Sequence, residues 1–570
     1  MKTSPMLLKH QPKRSTGAHL ATSLCALSAL AVAIQAQAFQ IDTGNPDIRA
    51  RLDTQVRYNL GMRVEGINDD FGDSPTYDAS EHFAGKGDLV TNRVDVLSEF
   101  DFIYKDRHGF RVSASAWRDF AYDNPEYGKT AARGLSNAEV AEHNNAHYSR
   151  YANRYNKGLS GEILDAFVFT GFDIGDSSVD LKLGQHTIYW GESLYTPFHG
   201  ISYSQAPLDL LKGASSPGIE AKEMFMPIPQ LSFQTSLTDT LSVAGQYLFD
   251  WEPSRLPAGG TYFGSADAMR ADWVTAAVIP GVGAMQFPFG KDVEPNKKHG
   301  QFGLNLRWTP DWLQGTVGLY YRKFNEVMPW GTVSVVSGGA LPDDMHLAYA
   351  SDTKLYGISL TKTIGVVSVG AEVSYRENAA LNSISGPWLA VGDARGIEGA
   401  RGDTWHALVN GVYMLPQTPL WVGGTLQAEL VYSSLDHVTK NKELFRGVGY
   451  AGCVGQDAGD GCATREVWLA QVGFTPEYPQ VFPGVNMSLP MSLSYGLKGN
   501  GATLGGGNQD AMTWSVGVAA NIYNTWDVSL KYNDSRAKYN KGPDGLVSTT
   551  NGNALANNHG WVSLTVKRSF

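Results

Sequence analysis

Large apolar side chains are concentrated between residues 188 and 229, in a stretch that lies between two predicted strands. Leaving so many in water is unfavourable, so the stretch is expected to pack against the rest of the chain. Its methionine and leucine side chains would also offer a soft apolar surface to acyl chains or ring systems. The residues predicted to contact such a ligand are Trp190, Glu192, Leu208, Leu210, Leu211, Met224, Phe225, Met226, Trp251 and Arg255. A stretch that only braces its surroundings is the alternative.

Opposite charges lie within this stretch and shortly after it. A carboxylate of Glu192 or Glu252 could pair with the guanidinium of Arg255, and such a pair would fix the loop. Direct contact of these charges with a ligand is the alternative.

Cys453 and Cys462 are separated by eight residues rich in glycine and aspartate. Further metal ligands are missing from their neighbourhood in the sequence. In an oxidising compartment we expect them to form a local disulfide that limits the motion of a loop.

Other polar groupings do not add up to a catalytic or metal site. His143 and His147 lie one helical turn apart in Leu135–Tyr155, a loop predicted to hold a short helix, but their order differs from the metalloprotease motif. One acidic cluster lacks the spacing of a calcium loop; its members are Asp69, Asp70, Asp73 and Asp78. We therefore predict no catalytic residues, no bound metal and no cofactor, and we keep an enzyme or adhesin as a less favoured alternative.

The amino terminus has the pattern of a secretory leader. Lys2, Lys9, Lys13 and Arg14 precede an apolar run, and Ala36 and Ala38 form a small-x-small cleavage site before Phe39. The run is short for a membrane span, although an uncleaved anchor is the alternative. Residues 1–38 are predicted to be a signal peptide, with the mature chain, 39–570, forming a single domain.

Composition excludes several classes of protein. The 46 basic residues face 56 acidic ones, a net charge of −10, which argues against a nucleic-acid partner. After the leader there is no apolar run long enough for a membrane helix. Glycine, tyrosine and tryptophan are plentiful and charges are sparse. A β-barrel in a membrane gives this result because only every second residue of each strand faces lipid.

Alternation of apolar and polar residues recurs along the whole chain. In Leu52–Glu65, one face carries apolar residues and the other carries Asp53, Arg57, Arg63 and Glu65. Charges at this density suit a watery lumen better than a dry core. Eighteen such segments are predicted: Leu52–Glu65, Val94–Tyr104, Phe110–Trp117, Leu164–Phe172, Val179–His186, Leu231–Leu237, Leu241–Trp251, Phe302–Trp308, Gly315–Lys323, Tyr356–Thr361, Val367–Tyr375, Thr404–Tyr413, Thr425–Tyr432, Trp468–Phe474, Val485–Tyr495, Trp514–Ile522, Trp526–Asn533 and Gly560–Phe570.

The links between these segments alternate between short and long, as the periplasmic turns and external loops of outer-membrane barrels do. The sequence therefore predicts an all-β, antiparallel transmembrane barrel of about 18 strands with long external loops. Sixteen strands are the alternative, because Val179–His186 and Tyr356–Thr361 alternate weakly. In such a barrel the apolar stretch 188–229 would fold inward and partly plug the lumen.

The final strand ends on an aromatic residue, Phe570, which looks like the assembly signal of outer-membrane barrels. Arg568 stands where such signals usually keep an aromatic or aliphatic residue. We accordingly predict a location in the outer membrane of a Gram-negative bacterium, with contacts to membrane lipid, lipopolysaccharide and the barrel assembly machinery.

An ordered set of short motifs resembles a known proteobacterial outer-membrane family, domain of unknown function family 1302. The matching parts are Gln185 with Trp190-Gly191-Glu192-Ser193, Pro207-Leu208-Asp209, Pro217-Gly218-Ile219-Glu220, and Trp251-Glu252 with Thr261-Tyr262-Phe263. The resemblance covers nearly the whole mature chain. It implies an envelope protein, often encoded beside a second protein family of unknown function and a resistance-nodulation-division type exporter, with a suspected role in transporting hydrophobic molecules. A periplasmic partner and such an exporter are the partners expected from this resemblance.

These expectations favour a channel or transporter that moves hydrophobic or amphipathic small molecules or lipids across the outer membrane. A general diffusion porin is the runner-up; it would have an open lumen and opposed ladders of charge.

Overall fold

The computed structural model describes residues 39–72, 77, 83, 85–123, 147–279, 283–336, 344–384, 388–391, 398–543 and 545–570. The predicted leader lies outside these residues, as do Asp73, Asp78, His143 and positions 135–146 of the predicted loop helix. The described end of that loop forms a short helical turn, Arg150–Ala152, continued by a π-turn, Asn153–Lys157.

The alternating segments form the wall of a closed antiparallel barrel. Its 18 strands are β1 Ile48–Arg63, β2 Leu89–Tyr104, β3 His108–Asp119, β4 Gly158–Ile174, β5 Ser177–His186, β6 Ile228–Ser236, β7 Leu241–Leu248, β8 Gln301–Trp308, β9 Gly315–Phe324, β10 Thr353–Ile364, β11 Val367–Ala380, β12 Arg401–Met414, β13 Gly423–Lys440, β14 Glu466–Phe482, β15 Val485–Ser488 with Met491–Lys498, β16 Met512–Ile522, β17 Trp526–Arg536 and β18 Trp561–Ser569. Each strand pairs with the next, and β18 closes the ring on β1 in a register that sets Val566 opposite Tyr58.

Every predicted strand overlaps one wall strand, so the prediction of 18 strands is confirmed. Val179–His186 and Tyr356–Thr361 belong to β5 and β10, and the alternative of sixteen strands is therefore wrong. Several predicted boundaries differ from the structure, and two of the differences have a clear cause. Strand β15 is interrupted at Leu489 and Pro490, since proline cannot donate to the ladder, and β7 ends before Trp251.

The outer face of the wall is apolar and the inner face is polar. Val373 and Leu430 are 42% and 39% exposed on the outside, whereas their neighbours Glu372 and Glu429 are 3% and 2% exposed. A closed ring leaves no unpaired strand edge, which hydrocarbon requires of any spanning sheet. A closed barrel with an apolar exterior is the architecture of outer-membrane proteins, and this chain is such a barrel.

Eight short links join wall strands at one end of the barrel, and nine longer links join them at the other. We call these the short-turn end and the long-loop end. The carboxyl terminus lies at the short-turn end, where the Phe570 N–H donates to the Thr54 carbonyl over 2.8 Å. The strand Phe39–Ile41 pairs there with Ala50–Leu52.

Small elements outside the wall fill the longer links. The additional strands are Trp273–Ile279, Gly283–Pro288, Gly331–Val336, Asp344–Ala348, Trp388–Val391, Lys538–Lys541 and Val547–Asn551. The remaining helices and 3-10 turns are Asp69–Gly72, Phe120–Tyr122, Leu210–Ser215, Ala221–Met224, Ala451–Cys453, Ala458–Asp460 and Ala554–Ala556. Within the described ranges, no helix has the length and apolar character needed to cross a membrane.

Candidate functional site

The link between β5 and β6, residues 187–227, makes extensive contacts with inward-facing side chains of the wall. We call it the β5–β6 segment. Its middle holds the short helix Leu210–Ser215, whose amino terminus is capped by the Asp209 carboxylate, which accepts from the Lys212 N–H over 2.8 Å. This cap separates an upstream half, residues 187–208, from a downstream half, residues 216–227.

Glu429 on β13 accepts hydrogen bonds from several backbone N–H groups of the upstream half. Its carboxylate accepts from the N–H groups of Leu194, Tyr195 and Thr196 over 2.6, 3.3 and 2.9 Å, and also from the Thr196 hydroxyl. No cation among the described residues pairs with Glu429. The carboxylate is therefore satisfied by N–H and O–H donors, which makes the backbone path of residues 193–196 depend on one wall side chain.

Glu372 on β11, two strands away from β13, acts in the same way. Its two oxygens accept from the N–H groups of Glu192 and Ile201, each over 3.0 Å. Asn410 on β12 donates to the Glu192 carbonyl over 2.6 Å and to Glu429 over 3.3 Å. The two wall carboxylates are thus linked through one amide.

Two buried arginines hold carbonyls of the upstream half. Arg322 on β9 donates to the carbonyls of Ile201 and Tyr203 over 2.8 and 2.6 Å. Arg376 on β11 donates to the Gly200 carbonyl over 3.1 Å and stacks 4.0 Å from the Tyr203 ring centre. Guanidinium groups hold backbone carbonyls here without a direct carboxylate partner among the described residues.

His199 lies beside this cluster. Its Nδ1 is 3.1 Å from Nδ1 of His406 on β12, and its ring is buried. Burial, together with the nearby charge of Arg376, lowers the pKa of His199 to about 3. The His199 ring is accordingly neutral at ordinary pH.

The downstream half is held by ion pairs between side chains. Arg57 on β1 makes a two-pronged contact with Glu223, over 2.7 and 3.0 Å, and both groups are almost fully buried. Asp95 on β2 approaches the same guanidinium at 3.9 Å. Strands β1 and β11 lie on nearly opposite sides of the ring, so the two halves contact opposite walls.

Glu220 and Lys222 extend this set of ion pairs. Glu220 accepts from Gln55 over 2.8 Å and pairs with Lys567 on β18 over 3.3 Å, and Lys222 pairs with Glu99 on β2. Burial acts to raise the pKa of the Glu220 carboxyl. The Gln55 hydrogen bond and the two ammonium groups outweigh burial, and they hold that pKa below its usual range.

Arg255 does pair with carboxylates, but they differ from the predicted ones. It contacts Asp209 over 3.0 Å and Glu162 on β4 over 2.5 Å, and Glu192 instead accepts from Ser359 over 3.1 Å. Burial opposes the charge of Arg255, but the two carboxylates outweigh it and raise the pKa of the guanidinium. Arg255 therefore does hold the segment, but through Asp209, the cap of the central helix, and not through Glu192 or Glu252.

Most of the predicted ligand-contacting residues pack inside the protein. Trp190, Leu208, Leu211, Met226 and Trp251 are buried, while Leu210, Met224 and Phe225 are half-buried. Each tryptophan belongs to a hydrophobic cluster. Trp190 packs with Ile201, Tyr203, Tyr320, Phe324 and Leu355. Trp251 packs with Val327, Met328, Leu347 and Tyr349. Contact with a ligand stays a prediction for all ten residues.

Open space lies on either side of the β5–β6 segment. Cavities of about 610, 980 and 250 Å³ are lined by residues other than these ten. The cavity of 980 Å³ contains Glu220, Lys222 and Phe570, and the cavity of 610 Å³ contains Gly218 and Lys567. The downstream half therefore borders both spaces near the short-turn end.

The sulfur atoms of Cys453 and Cys462 form a disulfide. It lies in the link between β13 and β14, next to residues that hydrogen-bond the hairpin Lys538–Lys541 and Val547–Asn551 through Asp460. Of the acidic cluster, Asp70 pairs with Lys541 over 2.7 Å and accepts from Tyr539. These contacts join neighbouring loops at the long-loop end.

The model of one protein family matches residues 19–570 of the chain. The chain belongs to this family, described as Protein of unknown function (DUF1302). The match covers all 18 wall strands and the whole β5–β6 segment, so the fold described above is that of a DUF1302 protein. No curated protein matches the sequence.

Solved outer-membrane structures are similar to this DUF1302 protein at low identity. OccAB4 of Acinetobacter baumannii has 8% identity and a TM-score of 0.41, over 91% of this chain and 98% of that one. The outer membrane channel DcaP of the same organism has 14% identity and a TM-score of 0.35, over 94% and 100%. OpdK of Pseudomonas aeruginosa with vanillate has 10% identity and a TM-score of 0.38, over 91% and 98%.

The wall residues that hold the segment were not singled out from the sequence. These residues occupy inward positions of alternating strands, where a charged side chain on the polar face is the only feature that the sequence offers. They are Glu372, Glu429, Arg322, Arg376 and Arg57. Alternation shows that these groups face inward, but their partners lie far away in the chain, 235 positions for the Glu429 contact with Leu194.

Proposed function

We propose that this DUF1302 protein is an outer-membrane channel for small amphipathic or hydrophobic molecules, including lipids, with its lumen closed by the β5–β6 segment. The observation that carries the proposal is the attachment of one segment to opposite walls, by Glu372 on β11 on one side and by Arg57 on β1 on the other. Interior cavities on both sides of the segment supply the remaining parts of a path. The short-turn end faces the periplasm, as in barrels of this class.

Apolar side chains of the segment support the choice of substrate. Leu208 and Phe225 line a small gap with Val327 and Met328, and a route opened by movement of the segment would expose such surfaces. The family resemblance adds a proposed partnership with a periplasmic protein and a resistance-nodulation-division type exporter.

Planar-bilayer conductance tests the closure. We expect the parent protein to be nearly silent and Glu223→Gln to show frequent openings, because the variant leaves Arg57 buried without its partner. The matched control is Glu377→Gln, which removes a carboxylate from the partly exposed pair with Lys354.

Uptake of a radiolabelled hydrophobic tracer by proteoliposomes is measured on the same three proteins, and Glu223→Gln should change its rate. Steady large openings of the parent would instead support the general diffusion porin.

A further inference from the structure

The cavity of about 610 Å³ lies inside the barrel against β14–β18, on the short-turn side of Gly218. Its volume falls within the range of about 300–1,000 Å³ that is typical of sites for small organic molecules. Two lysines of the wall, Lys531 on β17 and Lys567 on β18, border it. Their surroundings differ.

Lys567 is neutralised and Lys531 is not. Lys567 pairs with Glu220 over 3.3 Å and with Asp527 over 3.4 Å. No carboxylate of the described chain lies within ion-pairing distance of Lys531. The adjacent Leu530 is 52% exposed on the outer face, so Lys531 points inward. An ammonium in a partly dehydrated cavity without a counter-ion favours an anion beside it.

Small residues make room for the lysine and for a ligand. A Cβ at Gly517 would lie 2.6 Å from Cγ of Lys531, so the lysine stem rests directly across this glycine. Its cross-strand neighbour on β18 is Ser563, and Ala519 faces Ser529 one step nearer the short-turn end. The wall residues next to Lys531 are therefore small and uncharged.

The rest of the lining is mixed. Asn486 and Asn521 add amide groups, and Oδ1 of Asn521 is buried without a hydrogen-bond partner. Met487 and Pro490 add apolar surface. Two carboxylates line the cavity: Asp527 is paired with Lys567, and Glu477 is exposed, so that water screens its charge. A ligand with one anionic head and an apolar body matches the ammonium of Lys531 and this apolar surface; Oδ1 of Asn521 is an acceptor and does not hold the anion.

We propose that this cavity binds an organic carboxylate with an apolar body, and that Lys531 holds its carboxylate. The proposal refines the channel function by naming a substrate class and a resting place for it beside the β5–β6 segment. The site itself can be measured as binding, independently of transport.

Calorimetry on the full-length barrel in lipid nanodiscs tests the proposal with decanoate, its neutral analogue decanamide, and inorganic phosphate. We expect the parent to bind decanoate at least tenfold more tightly than decanamide or phosphate. Lys531→Gln should weaken decanoate binding about tenfold, as expected for the loss of one charge-assisted hydrogen bond, and should leave decanamide unchanged. Lys531→Arg should restore binding to within about threefold of the parent.

Lys105→Gln is the matched control, because it removes the same charge from an exposed turn at the short-turn end. Equal decanoate binding by the parent and Lys531→Gln would overturn the proposal. So would an equal loss of decanoate and decanamide, or phosphate binding as tight as that of decanoate. A parent that binds decanoate but transports nothing would contradict the channel function and leave the site standing. A parent that transports the tracer, together with unchanged decanoate binding in Lys531→Gln, would contradict the site and leave the channel function standing.

Discussion

The two halves of the β5–β6 segment are attached to the wall by different kinds of contact. Wall carboxylates and arginines hold the upstream half through its backbone N–H and carbonyl groups, at Glu429, Glu372, Arg322 and Arg376. The downstream half is held mainly through its own side chains, of which Glu223 is the most buried, although its Pro217 carbonyl also accepts from Thr565 on β18. Backbone groups are present whatever the sequence, so the upstream attachment depends on the wall. The downstream attachment depends on the segment, and it is the part that substitution, salt or a ligand can release.

The largest effect is expected from Glu429→Ala. It leaves the part-buried N–H groups of Leu194 and Tyr195 without an acceptor, at about 1–3 kcal/mol each, and leaves the Thr196 N–H with the Ser193 hydroxyl alone. The folded barrel should lose its fast-migrating form on unboiled detergent gels at a clearly lower temperature than the parent. Glu377→Ala serves as control, and an equal shift in both variants would show that the upstream half does not depend on the wall carboxylate.

Breaking the Arg57–Glu223 pair should release the downstream half alone. Glu223→Gln leaves the buried Arg57 with Asp95, at 3.9 Å, as its remaining carboxylate, at a cost below the about 3–5 kcal/mol of a fully unpaired buried charge. Trypsin should then cut faster after Lys222 while gel mobility stays that of a folded barrel. The double variant Arg57→Met with Glu223→Leu removes both charges and should recover much of the resistance. If the double variant is cut as fast as the single one, the ion pair is not the cause.

Acid should weaken the upstream half through His199. The pKa of His199 is about 3 when the segment is in place and about 6.5 when it is free, so the neutral ring favours attachment. The stabilisation is complete above pH 6.5 and falls by about 1.4 kcal/mol for each pH unit from 6.5 towards 3. His406 and Arg376 face the ring and disfavour a second positive charge. Conductance should therefore rise between pH 7.5 and 5, and the rise should be absent in His199→Gln. A rise of equal size in that variant would assign it to other groups.

The smallest effect is expected from Lys222→Gln. The Lys222 side chain is 44% exposed, so the pair with Glu99 contributes about 0.2–1 kcal/mol. Tracer uptake should change by less than about fivefold, and 1 M salt should produce a similar change in the parent. An effect as large as that of Glu223→Gln would mean that the exposure of an ion pair does not determine how much it contributes to holding the segment.

Strand-level structure was readable from the sequence because lipid imposes period-two alternation on every wall strand. Val367–Tyr375 was predicted and β11 extends it to Ala380, beyond the clear alternation. Leu241–Trp251 was predicted too long because Trp251 continues the apolar pattern. In the structure Trp251 turns inward and donates from Nε1 to the Glu326 carbonyl over 3.2 Å.

The attachment of the segment was not readable in the same way. The prediction for 188–229 rested on apolar content, and many of those side chains are buried. The polar contacts that fix its path join residues such as Arg57 and Glu223, 166 positions apart. Only the closed ring brings such pairs together, and no local pattern records them.

The final strand has a consequence for biogenesis. Thr565 on β18 donates to the Pro217 carbonyl across 348 positions of sequence, and Lys567 meets Glu220 beside it. Residues 217–220 are translated long before the surface that receives them exists. That surface is complete only when the last strand has joined the first. Closure of the barrel in the bilayer and docking of the interior segment are thereby coupled in time. A chain truncated before β18 would lack both the β1–β18 pairing and the contacts of Thr565 and Lys567 with residues 217–220.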